Sequence, residues 1–296
     1  MATMTDIDEA RVRQAASELY VRALKLIPPD VTAAIERALE RETKPGARDI
    51  LSTILKNVRV AEERKLMVCQ DTGIPIYKVR IGAGVRVDGT KIEAAIRAGC
   101  ADACLSHPFR SSICDPLTRA NRPDSTGDRI PIVDFAFAAD LDCLEIRMMP
   151  KGSGSENMTW MKMLVPADGV KGIKKFILDC ILQAGGQGCT PSLIGIGIGG
   201  TAELSVKLAK EALFRPIGQP HPNERIAALE RELLDAINRS GIGPMGLGGD
   251  TTSLGVHIET ADTHITMNPV AVNSQCWRSE RASVRLYADG RAEYGY

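Results

Sequence analysis

The chain has 296 residues, 44% hydrophobic and 25% charged, with Lys plus Arg equal to Asp plus Glu at 37 each. That length suffices for one large domain or two smaller ones with a substantial core, and the balanced charge excludes the field that draws a protein to nucleic acid or an anionic membrane. Aromatic residues are only 4%, so platforms for base stacking are few.

Met1–Asp6 has no basic stretch followed by an apolar core, and no later segment offers about 18 uninterrupted apolar residues, so a cytoplasmic protein is expected. The eight cysteines are more easily explained there as thiols or metal ligands than as a disulfide framework. Apolar residues recur at helical spacing over about 7–26, and Pro28-Pro29-Asp30 is expected to end that helix and cap the next. Helices over about 31–43 and 47–65 follow, parted by Pro45-Gly46, so residues 1–66 form the helical part of one domain spanning 1–296. Ile76-Tyr77-Lys78-Val79-Arg80-Ile81 then alternates in period two as a strand, and a helix returns near 90–106.

The polar stretch from Pro108 to Gly127 predicts a long loop able to line a pocket, ahead of strands at about 131–138 and 143–149. Helices near 168–184, 202–214 and 223–240 follow, with an apolar strand at 192–198 between the first two. The tail reads as strands, with a hairpin at Ala288-Asp289-Gly290-Arg291. The fold class is mixed α/β (α+β-like), a helical N-terminal region followed by mixed sheets with flanking helices.

Cys69-Gln70-Asp71-Thr72-Gly73 falls between a helix and a strand, where loops carry function. A thiolate there can hold a metal or cluster while Gln70 and Asp71 face a ligand on that metal. Cys189, in Gly188-Cys189-Thr190-Pro191, and Cys276, in Asn273-Ser274-Gln275-Cys276-Trp277, share the polar setting and suggest a three-cysteine site. Thiolates suit zinc or iron–sulfur clusters, and the lack of a Cys-x-x-Cys knuckle disfavours a zinc ribbon. A cluster held by three thiolates leaves one iron free as a Lewis acid. Scattered cysteines are also common core residues, the reading adopted for Cys100, Cys104, Cys114, Cys143 and Cys180.

Ile194-Gly195-Ile196-Gly197-Ile198-Gly199-Gly200-Thr201 invites a dinucleotide-binding reading, yet its spacing is not G-x-G-x-x-G. Tight backbone packing, or a helix N-terminus aimed at a substrate carboxylate, explains it better. Arg110 in the polar loop is a candidate carboxylate partner. The run Gly152–Asn157 offers backbone N–H groups plus the Ser155 and Asn157 side chains as a lining for anionic oxygens, though it also reads as a turn. His107, His221, His257 and His264 are not assigned as ligands; hydrogen-bonded structural roles suit His257 and His264.

Taken together, Val68–Gly73, Lys151–Met158, Gly197–Thr201, Phe214–Gly218, Gly241–Gly249 and Val256–Glu259 resemble the α subunit, or N-terminal half, of the class I fumarase and L(+)-tartrate dehydratase family of iron–sulfur hydro-lyases. The resemblance implies that Cys69, Cys189 and Cys276 bind a [4Fe-4S] cluster with one open iron site. It further implies that Gln70 and Asp71 contact substrate, that Asp71 passes a proton to the departing hydroxide, and that Arg110, Gly152 and Ser155 to Asn157 bind substrate. The base at carbon is expected on a separate β subunit, giving an α2β2 heteromer acting on a small dicarboxylic acid. Ser155–Met158 looks like the two-subunit fumarases, whereas Cys276-Trp277 and the Arg215–Asn223 region look closer to tartrate dehydratase. Reversible hydration of fumarate to L-malate is the preferred reading, with L(+)-tartrate dehydration as the alternative. The rivals are a nucleotide-binding oxidoreductase built on the glycine run and a non-catalytic scaffold subunit with a structural cluster.

Overall fold

The computed structural model describes residues 7–296; the reading made on Met1–Asp6 lies outside the described residues. The chain forms two compact units, the first from residues through Pro28, Val60–Gly152 and Glu280–Tyr296, the second from Pro29–Arg59 and Ser153–Ser279. Among the described residues no helix is long and apolar enough to cross a membrane.

In the first unit, α1 (Glu9–Lys25) starts where the Asp8 carboxylate accepts the Ala10 N–H at 3.0 Å. Its three- and four-residue spacing of Val12, Ala15, Ala16, Leu19, Ala23 and Leu24 puts one face wholly inside. α4 (Gly89–Ser106), capped in the same way by Asp88, packs beside it. Both cover one face of a sheet ordered β2-β1-β3-β8-β9, namely Ile132–Ala138, Ile74–Gly82, Leu144–Lys151, Ala282–Leu286 and Ala292–Gly295. β1 and β2 run parallel through the α4 crossover, and the other pairings are antiparallel. The hairpin expected at Ala288–Arg291 is the β8–β9 turn, closed by Tyr287 N–H donating to the Arg291 carbonyl at 3.0 Å.

Glu145 of β3 is buried among Arg80, Arg147 and Arg285, at 3.2, 2.9 and 3.2 Å. Burial raises its carboxyl, but Arg147 first and then Arg80 and Arg285 hold it below the ordinary range. A carboxyl depressed by folding contributes stability above its unfolded pKa and loses it as pH falls through the folded value. Glu145→Gln is therefore expected to lower stability by about 1–2 kcal/mol near pH 7, a modest figure because water screens the arginines. In urea titrations the gap from the parent should close below about pH 4; a gap independent of pH would refute the assignment.

The second unit holds α2 (Pro29–Arg41), most of α3 (Pro45–Arg64), α5 (Ser153–Glu156), α6 (Gly169–Ala184), α7 (Ala202–Ala212) and α8 (Glu224–Asn238). Its sheet is ordered β4-β7-β5-β6, or Trp160–Leu164, Asn268–Gln275, Ser192–Gly199 and Ser253–Ala261, with β5 and β6 parallel. Residues of α6, α8 and the sheet build its apolar core. Two expectations change. Asp30 does not cap α2, which begins at Pro29 because proline needs no N–H partner in a first turn; its carboxylate accepts the Ile217 N–H at 2.6 Å. The run read as a turn includes the single helical turn α5, and β4 is a strand that the sequence reading did not assign.

The glycine run is a packing device. A Cβ at Gly195 would overlap the Ala209 carbonyl, and one at Gly197 the Ser205 carbonyl, so α7 lies directly on β5. Those glycines face helix backbone, which leaves a pyrophosphate no approach there. No disulfide joins the described cysteines; Cys100, Cys104, Cys143 and Cys180 are buried, as core packing requires. Burial, its largest cause, pushes the Cys180 thiol up to about 12.

Candidate functional site

The predicted site residues fall into two sets, one in each unit. In the first unit, the chain leaves α3 and reaches β1 through Cys69–Gly73. Asp71 organises this loop from both ends: its N–H donates to Cys69 Sγ at 3.5 Å, and its Oδ1 accepts the Gly73 N–H at 3.0 Å. Gly73 has φ +65°, and a Cβ would lie 2.7 Å from the Lys151 nitrogen, so only glycine lets the loop turn against the end of β3. Ile74 pairs with Lys151, which places Gly152 at the same end of the sheet as Cys69, Gln70 and Asp71.

Arg110 joins them through backbone. The buried Thr72 hydroxyl donates to the Arg110 carbonyl at 2.6 Å, and the Tyr20 hydroxyl of α1 donates to the Thr72 carbonyl at 3.0 Å. Burial pushes the Tyr20 phenol well above its ordinary value and keeps it a donor. The Arg110 side chain is exposed, with no hydrogen-bond or ion-pair partner among the described residues. Gln70 is likewise exposed.

In the second unit, Cys189 is exposed, at φ +56°, in a turn where its carbonyl accepts the Trp277 N–H at 3.1 Å. Trp277 follows half-buried Cys276, so one backbone bond joins the two cysteine loops. Thr190 fixes the Cys189 turn to the glycine-rich segment after α8: its hydroxyl donates to the Gly243 carbonyl at 2.6 Å and accepts the Gly246 N–H at 3.1 Å. Beneath it lies a cavity of about 20 Å³ bordered by Gly188, Thr190 and Ser274, room for one water. Ser274 Oγ donates to the Ser155 carbonyl at 3.2 Å, which brings α5 to the same place.

In α5 and the residue after it the side chains differ in role. Ser155 is buried and its hydroxyl donates to Gln275 Oε1 at 3.4 Å, whereas Asn157 is exposed. The Glu156 carboxylate is bound by Lys210, and by Asn273 Nδ2 at 3.1 Å. Cys114, read as a core residue, is instead half-buried in the long loop and bridged to Asn121. His257 Nδ1 meets the Ala212 carbonyl at 3.1 Å and His264 Nδ1 meets Thr266 Oγ1 at 2.9 Å, the structural hydrogen bonds expected of both. Within either unit, no three His, Cys, Asp or Glu side chains among the described residues gather closely enough for a single metal ion. Sequence reasoning missed Thr72, Tyr20 and Thr190 as anchors; the hydroxyl between Asp71 and Gly73 was the available signal for Thr72.

Residues 13–285 match the family model described as "Fumarate hydratase (Fumerase)". The chain belongs to this family. Among its relatives, "Putative L(+)-tartrate dehydratase subunit alpha" of Methanocaldococcus jannaschii is 43% identical over 283 residues, covering 95% of this chain and 99% of the relative. "L(+)-tartrate dehydratase subunit alpha" of Escherichia coli K12 is 32% identical over 263 residues, covering 89% and 86%. "Putative fumarate hydratase class I" of Geobacillus stearothermophilus is 34% identical over 280 residues, but this chain spans only 54% of it. Both activities named are hydro-lyase activities, and this fumarate hydratase family chain is of that enzyme class. Its charged family motif Phe214–Gly218 is scaffolding: Arg215 grips buried Glu230 through two bonds of 2.6 and 3.2 Å.

Proposed function

We propose that the chain, 1–296, is the α-type catalytic domain of a cytoplasmic iron–sulfur hydro-lyase that reversibly hydrates fumarate to L-malate. The observation that carries the reading is the 2.6 Å bond from Thr72 to the Arg110 carbonyl, which sets a thiol, a carboxyl and an unpaired guanidinium on one anchored pair of loops. Cys69, Cys189 and Cys276 would hold a [4Fe-4S] cluster. The donor set fits: these three lie in polar loops, while Cys100, Cys104 and Cys180 belong to the apolar cores. Thiolate is also the ligand such clusters take. When bound, the cluster supplies a Lewis acid at the iron without a protein ligand.

The rest of the chemistry belongs to side chains. Asp71 gives a proton to the hydroxyl leaving L-malate and takes it back from water in the reverse direction. The Arg110 fork binds a substrate carboxylate. Gln70 offers an amide, and Gly152, Ser155 and Asn157 line the remaining oxygens, while Glu156 holds its loop through Lys210 and Asn273. A β subunit supplies the base at carbon in an α2β2 complex; the relatives named as α subunits, and one in which this chain matches 54% of the length, support that division.

The relatives' names favour a second reading, L(+)-tartrate dehydration, whose substrate differs by a hydroxyl that one hydrogen-bonding residue discriminates. The test is anaerobic co-purification with the β subunit and assay on fumarate, L-malate and L(+)-tartrate. Interconversion of fumarate and L-malate by brown, air-bleached protein is expected. Turnover of tartrate alone would select the second reading, no turnover by a fully loaded complex the scaffold, and colourless protein binding NAD tightly the oxidoreductase.

A further inference from the structure

We propose that Thr72 is a positioning residue for substrate capture, its hydroxyl holding the backbone from which the Arg110 guanidinium reaches a carboxylate. The proposal rests on the reading of Arg110 given above. A carbonyl oxygen only accepts, so the Thr72 O–H is committed to Arg110 at 2.6 Å. The Ser112 hydroxyl, 3.0 Å away, must then donate to Thr72 Oγ1 and orient it. Thr72 is itself wholly buried and held by Tyr20.

The Arg110–Ser112 segment is braced through Ser111 as well. Ser111 Oγ accepts the Ser125 N–H at 3.1 Å, and Ser125 Oγ donates to Cys104 Sγ of α4 at 3.3 Å. Arg110 thus has a root fixed between two helices and a side chain exposed. A guanidinium anchored at its backbone has less freedom to lose when a carboxylate arrives, and an ångström of drift at the root misaligns its fork. Without the Thr72 hydroxyl, the Arg110 carbonyl and Ser112 hydroxyl lose their partner and the segment is free to move.

The test uses the cluster-loaded complex with the β subunit, assayed on fumarate, L-malate and L(+)-tartrate beside iron and sulfide content. Thr72→Val is expected to raise KM about tenfold or more, with kcat changed less than about threefold and iron retained. Thr72→Ser, which restores the hydroxyl, should return KM to within about twofold. Ser112→Ala removes only the orienting donor and should raise KM about threefold; it carries the test if Thr72→Val does not fold. Unchanged KM in Thr72→Val, or in Ser112→Ala where it stands in, would overturn the proposal, as would equal damage from valine and serine. Arg110→Ala separates the two readings. If it leaves KM unchanged, the assignment of Arg110 fails and this proposal with it; if it raises KM while Thr72→Val does not, only Thr72 loses its role.

Discussion

Asp71→Asn is expected to keep its iron and acid-labile sulfide while losing roughly 10²–10⁴-fold in kcat, the range of a missing general acid. The reason is local. An asparagine Oδ1 can still accept the Gly73 N–H that Asp71 now takes at 3.0 Å, and the bond to Cys69 Sγ comes from the residue 71 backbone. The loop, with Thr72 tied to Tyr20 and Arg110, therefore survives the change. Only the exchangeable carboxyl proton is gone. Asp71→Ala, which also removes the acceptor, should lose iron together with activity. Turnover of the asparagine variant at the parent rate, measured per iron in the assembled complex, would remove Asp71 from the chemistry.

Gly197→Ala should be among the most destabilising single methyl additions in the chain. The new Cβ would overlap the Ser205 carbonyl oxygen and sit 2.7 Å from the Ala209 nitrogen, both of them helix backbone, so α7 as a body would have to leave β5. Overpacking commonly costs 1–3 kcal/mol, and a clash with rigid backbone belongs at or above about 3, a fall in Tm of roughly 6–12 °C. Gly46→Ala is the control, because nothing lies within 4 Å of its added Cβ and alanine favours the first turn of α3. It should hold or slightly raise Tm. Equal melting of the two variants by circular dichroism would show that α7 yields easily.

The helices were legible because their apolar residues repeat every three or four positions, and the burial of α1 follows that pattern. Cys69 could be placed between a helix and a strand for the same reason. β4 was not legible: Met161 and Met163 are exposed on an edge strand, so neither face of Trp160–Leu164 shows a polar alternation, and pairing with β7 alone defines it. The glycine run announced close approach but not the identity of the approaching body, which depends on where α7 packs. The tie between Arg110 and the Cys69 loop was hidden differently. A hydroxyl bonded to a carbonyl asks nothing of the side chain at 110, 38 residues away. Likewise the glycines after α8 carried a family motif without a stated role, whereas their carbonyl and N–H groups are what Thr190 holds beside Cys189.

The interleaving of the two units sets an order of events on the ribosome. All of the second unit has emerged once Ser279 is out, while the first still awaits Glu280–Tyr296. Those residues bring β8, whose Ala282–Leu286 pairs with Leu144–Met148 in the interior of the sheet. Until then nascent β3 presents a naked Leu-Glu-Ile-Arg-Met edge to its surroundings, an invitation to mispairing that only the arrival of β8 closes.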